Sequence, residues 1–184
     1  MRFIASFLMV TAVALAAEAG KAKLPTAPLA VLERQAQERV GGSAFVPLAA
    51  ESDPIFKKID SLETLGAGRV PNYLRAAALL PNVVEPMSRL IKTFLYAGTL
   101  PSETKLGMAL RIAQANRSPY TAAHIQRLLK ASERGQVVLA AIKSGQLTTL
   151  SPAEQLALSY ADGMTRDIHS PSDAEFQKVR GWYN

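Results

Sequence analysis

Residues Leu100–Gly135 read LPSETKLGMALRIAQANRSPYTAAHIQRLLKASERG, and two helices joined by a short break are legible in them. Ser102 opens the first. Leu106, Ala109, Leu110 and Ala113 then recur at the three- and four-residue spacing that lines one helical face. Ser118-Pro119 opens the second. A hydroxyl at the cap position accepts from free first-turn amides, and proline at the first helical position has no amide to leave unpaired. This helix is predicted to run to about Glu133, ahead of Gly135.

The same punctuation extends outward in both directions. Leu29–Val40 reads as a short amphipathic helix stopped by Gly41-Gly42, and Asp53-Pro54 opens another through about Leu65. Gly66, Gly68 and Pro71 interrupt the chain there. Asn72 caps a short helix ending near Leu80-Pro81, and Asn82 caps one that reaches about Ala97. Gln136–Lys143 forms a further helix ending at Gly145. Ser151-Pro152-Ala153-Glu154 is a capping box with proline at the first position, opening a helix to about Ile168. Ser172-Asp173-Ala174-Glu175 repeats the box shortly before Asn184. No convincing alternating run of five residues competes with these readings, so the fold class is all-α.

Composition narrows the chemistry. The 184 residues are 48% hydrophobic and 20% charged, the profile of a globular chain with enough apolar material for a core. There is no cysteine, which removes disulfides, thiolate metal sites and thiol nucleophiles. Two histidines, His124 and His169, are too few for a histidine-rich metal site, so neither metal nor cofactor is expected. The net charge of +6 carries no run of five basic residues and no nucleic-acid motif, so nucleic acid is not an expected partner.

Met1-Arg2 followed by uncharged Phe3–Ala17 and then Ala17-Glu18-Ala19 has the architecture of a secretory signal peptide cut after Ala19. Fifteen apolar residues fall short of the roughly 18–20 that span a bilayer, so no membrane association is expected after cleavage. The expected location is secreted or periplasmic. Residues 20–28 read as a disordered linker, 29–68 as an N-terminal helical extension and 69–184 as the main helical domain.

The opening stretch resembles the carboxymuconolactone decarboxylase and alkylhydroperoxidase-D-like superfamily, whose members share a helix, a short break and a helix carrying a histidine. The likeness extends over roughly Arg69 to Asn184, through VPNYLRAAALLPNVVEPMSRLIKTFLYAGTLP before it and LSPAEQLALSYADGMTRDIHSPSDAEFQKVRGWYN after it. It implies an all-helical bundle, assembly into a homo-oligomer, and one further long helix after the point where this sequence stops, so that either the sequence is a fragment or that helix is missing. Peroxidatic members carry a glutamate, a Cys-x-x-Cys twelve residues on, and a histidine four residues after the second cysteine. With His124 as that histidine, Tyr120, Arg117 and Lys105 occupy the other positions, so only the histidine matches. Neither arginine nor tyrosine can attack a peroxide or resolve a disulfide, and thiol peroxidase activity is not expected. Ser118-Pro119-Tyr120 and His124 resemble the cysteine-free, decarboxylase-like branch instead.

That branch implies His124 as the acid–base group. The residues themselves add three candidates for binding a carboxylate. Tyr120 lies one turn before His124 on the same face, Arg117 just precedes their helix, and Lys105 comes from the partner helix. Together they would gather two cations, a hydroxyl and an imidazole at one end of a helix pair, beside free amides that favour an anion. The alternative is structural: a histidine bonded to a carbonyl, a tyrosine packed as filler, and two solvated cations. Function at this stage is a decarboxylase-like protein acting on a small anionic organic acid, or a non-catalytic binding or structural oligomer.

Overall fold

The computed structural model describes residues 26–38, 46–59, 65–66, 68–167 and 172–183. Among them are eight α-helices and no strand: α1 Leu29–Glu38, α2 Asn72–Ala77, α3 Pro81–Tyr96, α4 Ser102–Ala115, α5 Pro119–Leu129, α6 Glu133–Ser144, α7 Pro152–Arg166 and α8 Asp173–Tyr183. Pro54–Lys58 and Leu147–Thr149 are 3-10 turns. The expected leader, residues 20–25 of the linker, and His169 lie outside the described residues. No described helix is long and apolar enough to cross a membrane.

The helix pair read first is the centre of the molecule. Leu106, Leu110 and Ala113 of α4 are buried against Ala122, Ile125, Leu128 and Leu129 of α5, with Val138, Leu139 and Ile142 of α6 and Leu158 of α7 closing the same core. Burying each such leucine contributes roughly 1.5–3 kcal/mol, so the stripe is sufficient reason for the pair to close. Leu29 and Leu32 of α1 enter this core too. A second cluster gathers Phe56, Ile59, Leu65, Leu74, Ala78 and Val84, and sets α2 against α3.

Several expected boundaries move. The linker is not loose to its end: Ala27 is buried, its amide donates to Gln114 O at 3.2 Å, and its carbonyl accepts from Gln114 Nε2 at 3.4 Å. The helix expected from Pro54 lasts one turn, because Ile59 adopts extended backbone (φ −98°, ψ 96°) as it enters the second core beside Phe56. Asn72 and Asn82 are helical residues, and the caps are Pro71 and Leu80.

The α5–α6 break falls at Lys130–Ser132 and not at Gly135. Ser132 caps α6 by accepting from the Gly135 amide at 3.0 Å. Gly135 sits inside that first turn because a Cβ there would stand 2.1 Å from the Leu129 carbonyl oxygen. Its role is close approach. The caps at Ser118, Ser151 and Ser172 form as expected, each accepting from a first-turn amide.

Candidate functional site

His124 and Tyr120, one turn apart on α5, both line a cleft of about 180 Å³, together with Arg69, Val70, Pro71, Asn72, Ala123 and Arg127. One wall is α5 and the other is the segment leading into α2. The amide of Tyr73 donates to the Tyr120 hydroxyl at 3.3 Å, which ties the walls together. The Tyr120 ring lies parallel to the imidazole at a centroid distance of 6.4 Å, and the Tyr73 ring meets it edge-on at 5.6 Å. His124 therefore sits at the rim of the apolar stripe rather than in the core. Leu128, one turn on, is buried.

The ring is held in one protonation state. Arg127 Nη2 lies 3.1 Å from His124 Nδ1. A guanidinium has no acceptor, so Nδ1 accepts and the ring's own proton is on Nε2. Burial and, after it, the Arg127 charge lower the imidazole from its ordinary 6.5 to about 4. At neutral pH His124 is uncharged. Burial pushes the Tyr73 phenol well up, reinforced by Tyr120 and Tyr96, so it too stays protonated.

Among the described residues the charged side chains lining the cleft are Arg69 and Arg127, and none is a carboxylate. The other two expected cations are elsewhere. Lys105 turns its ammonium to the Ala97 carbonyl in the α3–α4 turn and does not line the cleft. Arg117 makes the turn between α4 and α5 with φ 50°, the left-handed region uncommon for a non-glycine residue, and is likewise absent from the lining. The lining residues on α5 run from Tyr120 in its first turn to Arg127 two turns on, so the cleft follows the helix flank.

Sequence reading passed over Arg127, although its place three residues after His124 on the same helix was a signal that could have found it. Arg69 and Tyr73 carry no local signal, since only packing brings them to α5. A larger, more open hollow of about 450 Å³ lies among Lys130, Gln136, Leu139, Ala140 and Lys143. Its lining holds no histidine, carboxylate or hydroxyl, so proton-transfer chemistry points to the smaller cleft. No group of three potential metal ligands occurs among the described residues.

Elsewhere, Glu154 is nearly enclosed and pairs with Arg134 while closing the α7 capping box with Ser151. It holds helix ends together and is not part of the cleft lining.

The profile of the carboxymuconolactone decarboxylase family matches residues 81–163. The fold is similar to a cysteine-to-alanine variant of the debrominase Bmp8 in complex with 2,3,4-tribromopyrrole, with a TM-score of 0.62 and 19% identity over 78% of each chain. It is similar also to an uncharacterized peroxidase-related protein from Silicibacter sp. TM1040, with a TM-score of 0.60 and 19% identity over 89% of this chain and 78% of the other. No curated protein matches the sequence.

Proposed function

Residues 81–163 belong to the carboxymuconolactone decarboxylase family, and from that premise we propose that the protein binds a small anionic organic acid in the α5 cleft and acts on it by proton transfer at His124, without thiol chemistry. The observation that carries this reading is the lining itself. Two guanidinium groups, a phenol and a neutral imidazole face a cleft that no carboxylate lines among the described residues. Charge-assisted, bidentate contacts make arginine the best side chain for a carboxylate. A volume of about 180 Å³ lies below the roughly 300–1,000 Å³ of drug-sized sites, which suits a small acid. The debrominase structure, whose fold is similar, holds a small planar ring.

A lyase of this type needs the carboxylate clamped and the developing carbanion protonated. Arg127 and Arg69 serve the first need and His124 with Tyr120 the second. Thiol peroxidase chemistry has no residue to run on, since the chain has no cysteine. The signal-like start supports export of a chain beginning at Gly20.

The test is turnover of small mono- and dicarboxylic acids, followed as loss of the acid, alongside direct binding. His124→Asn is expected to abolish turnover while retaining binding, and Arg127→Ala to weaken binding roughly tenfold or more, on the order of 1.5–3 kcal/mol. Equal binding by wild type and Arg127→Ala overturns the anion site. The second reading is a non-catalytic binder, favoured by the one feature that opposes acid–base work: Nδ1 of His124 is occupied by Arg127. Binding without turnover of any acid decides for it.

A further inference from the structure

Arg127 stands between the two things the proposed chemistry requires, a bound anion and a proton on His124. Its Nε and Nη2 form the side-on prong pair that suits an oxyanion. One prong, Nη2, is held by His124 Nδ1 at 3.1 Å. The other, Nε, is enclosed without a hydrogen-bond partner. In this state the imidazole cannot take a second proton and keep Arg127. Protonation would turn Nδ1 into a donor facing a donor and set two positive charges about 3 Å apart.

We propose that Arg127 is a positioning residue that couples anion binding to protonation of His124: an oxyanion entering the cleft draws the guanidinium off the ring, a turn that uncovers the enclosed Nε, and takes the Nε–Nη2 fork, while the released Nδ1 accepts one proton from solvent and the ring keeps the one on Nε2. No bond to carbon forms or breaks in this step. It adds one proton to the ring, and the resulting imidazolium faces the anion that made it stable. The inference rests on reading the cleft as an anion site. The groups facing His124 are Arg127 and Tyr120 on α5, Tyr73 on α2 with Tyr96 of α3 near it, and Arg69 from the segment before α2. None of these is a carboxylate, so an entering anion is what offsets the guanidinium. Burial and Arg127 already hold the free ring at about 4, consistent with a site that stays neutral until it is filled. Linkage makes the effect reciprocal: whatever favours the proton also favours the anion.

The experiment uses His169→Asn as background, so that His124 is the sole histidine, with benzoate and inorganic phosphate as probes. Nitrogen-resolved NMR titration follows the ring, and calorimetry in buffers of different ionisation heat counts protons. In the free protein His124 is expected to titrate near 4. A saturating probe is expected to raise it by a unit or more, with proton uptake on binding. Affinity should then rise as pH falls from the liganded value to about 4, by about tenfold in all for each unit of that shift, and level off below it. Arg127→Gln is expected to raise the titration of the free ring and to remove proton uptake. If neither probe binds, the anion site falls and this coupling with it. If a probe binds while titration and proton count stay unchanged, the coupling alone falls. An unchanged free-ring titration in Arg127→Gln overturns it without any ligand.

Discussion

At the scale of the residue, the two positions whose identity says least on paper are glycine and arginine. Gly135 reads as a helix stop, yet it lies inside α6, where a Cβ would come within 2.1 Å of the Leu129 carbonyl oxygen and 2.9 Å of Ser132 Oγ. The nearer atom is backbone, so it cannot swing aside. Gly135→Ala is expected to cost about 1–3 kcal/mol or more, seen as a fall of several degrees in thermal midpoint. Gly181→Ala is the matched control, since beyond its chain neighbours and its own helix backbone no described atom lies within 4 Å of where its methyl group would stand. It is expected to be neutral or stabilising by up to about 1 kcal/mol. Arg127 could have been found as a neighbour of His124, but its unpartnered Nε is a fact of burial that no spacing announces.

At the scale of the element, α3 carries a face that the core does not use. Val84 and Ser88 are buried and Ile91 and Leu95 pack on the core, whereas Val83, Leu90 and Phe94 are 44%, 53% and 69% exposed. Val83 and Leu90 are seven residues apart and Phe94 follows four on, so with the cap residue Leu80 they line one face of the helix, while Met87 between them packs on the second core. Pro86 and Thr93 on its outer flank are uncharged. An uncharged apolar stripe suits the homo-oligomer that the family resemblance implies, and we propose a second copy of α3 as its cover. Light scattering is expected to show an assembly in wild type, and Leu90→Glu with Phe94→Glu to reduce it with helical content unchanged. A monomeric wild type overturns this.

At the scale of the whole molecule, two groups link stability to pH in the same direction. The folded imidazole of His124 titrates near 4 against an ordinary 6.5, so between those values the unfolded chain binds more protons and stability falls as pH falls. Burial alone would raise the Glu154 carboxyl, but the hydrogen bonds from Arg134 and Ser151 outweigh it and hold the group below its ordinary 4.5. Its contribution is present above that value and is lost as acid protonates the folded form. The thermal midpoint is expected to decline from pH 6.5 downward. His124→Asn should flatten the stretch between 6.5 and about 4 and leave the steeper loss below it. An unchanged slope in the variant would show that the ring is not neutral in the folded protein.

The sequence by itself determined the helices and most of their starts. Caps and apolar spacing act within one turn, and Ser118, Ser151 and Ser172 bond locally whatever surrounds them. For the same reason it paired Tyr120 with His124, neighbours on one helix. Tertiary structure decided which cations attend them. Lys105, on the first turn of α4, reaches back to the Ala97 carbonyl, and Arg117 makes the α4–α5 turn, so the path of the chain at each end of α4 keeps both out of the cleft lining. Arg69 enters the lining, and Tyr73, 47 residues before Tyr120, meets the imidazole edge-on, because the second core sets α2 against α3 and brings its N-terminal end to α5. Local bonds need only neighbours in sequence, whereas a site between elements exists once buried apolar area has chosen how they pack.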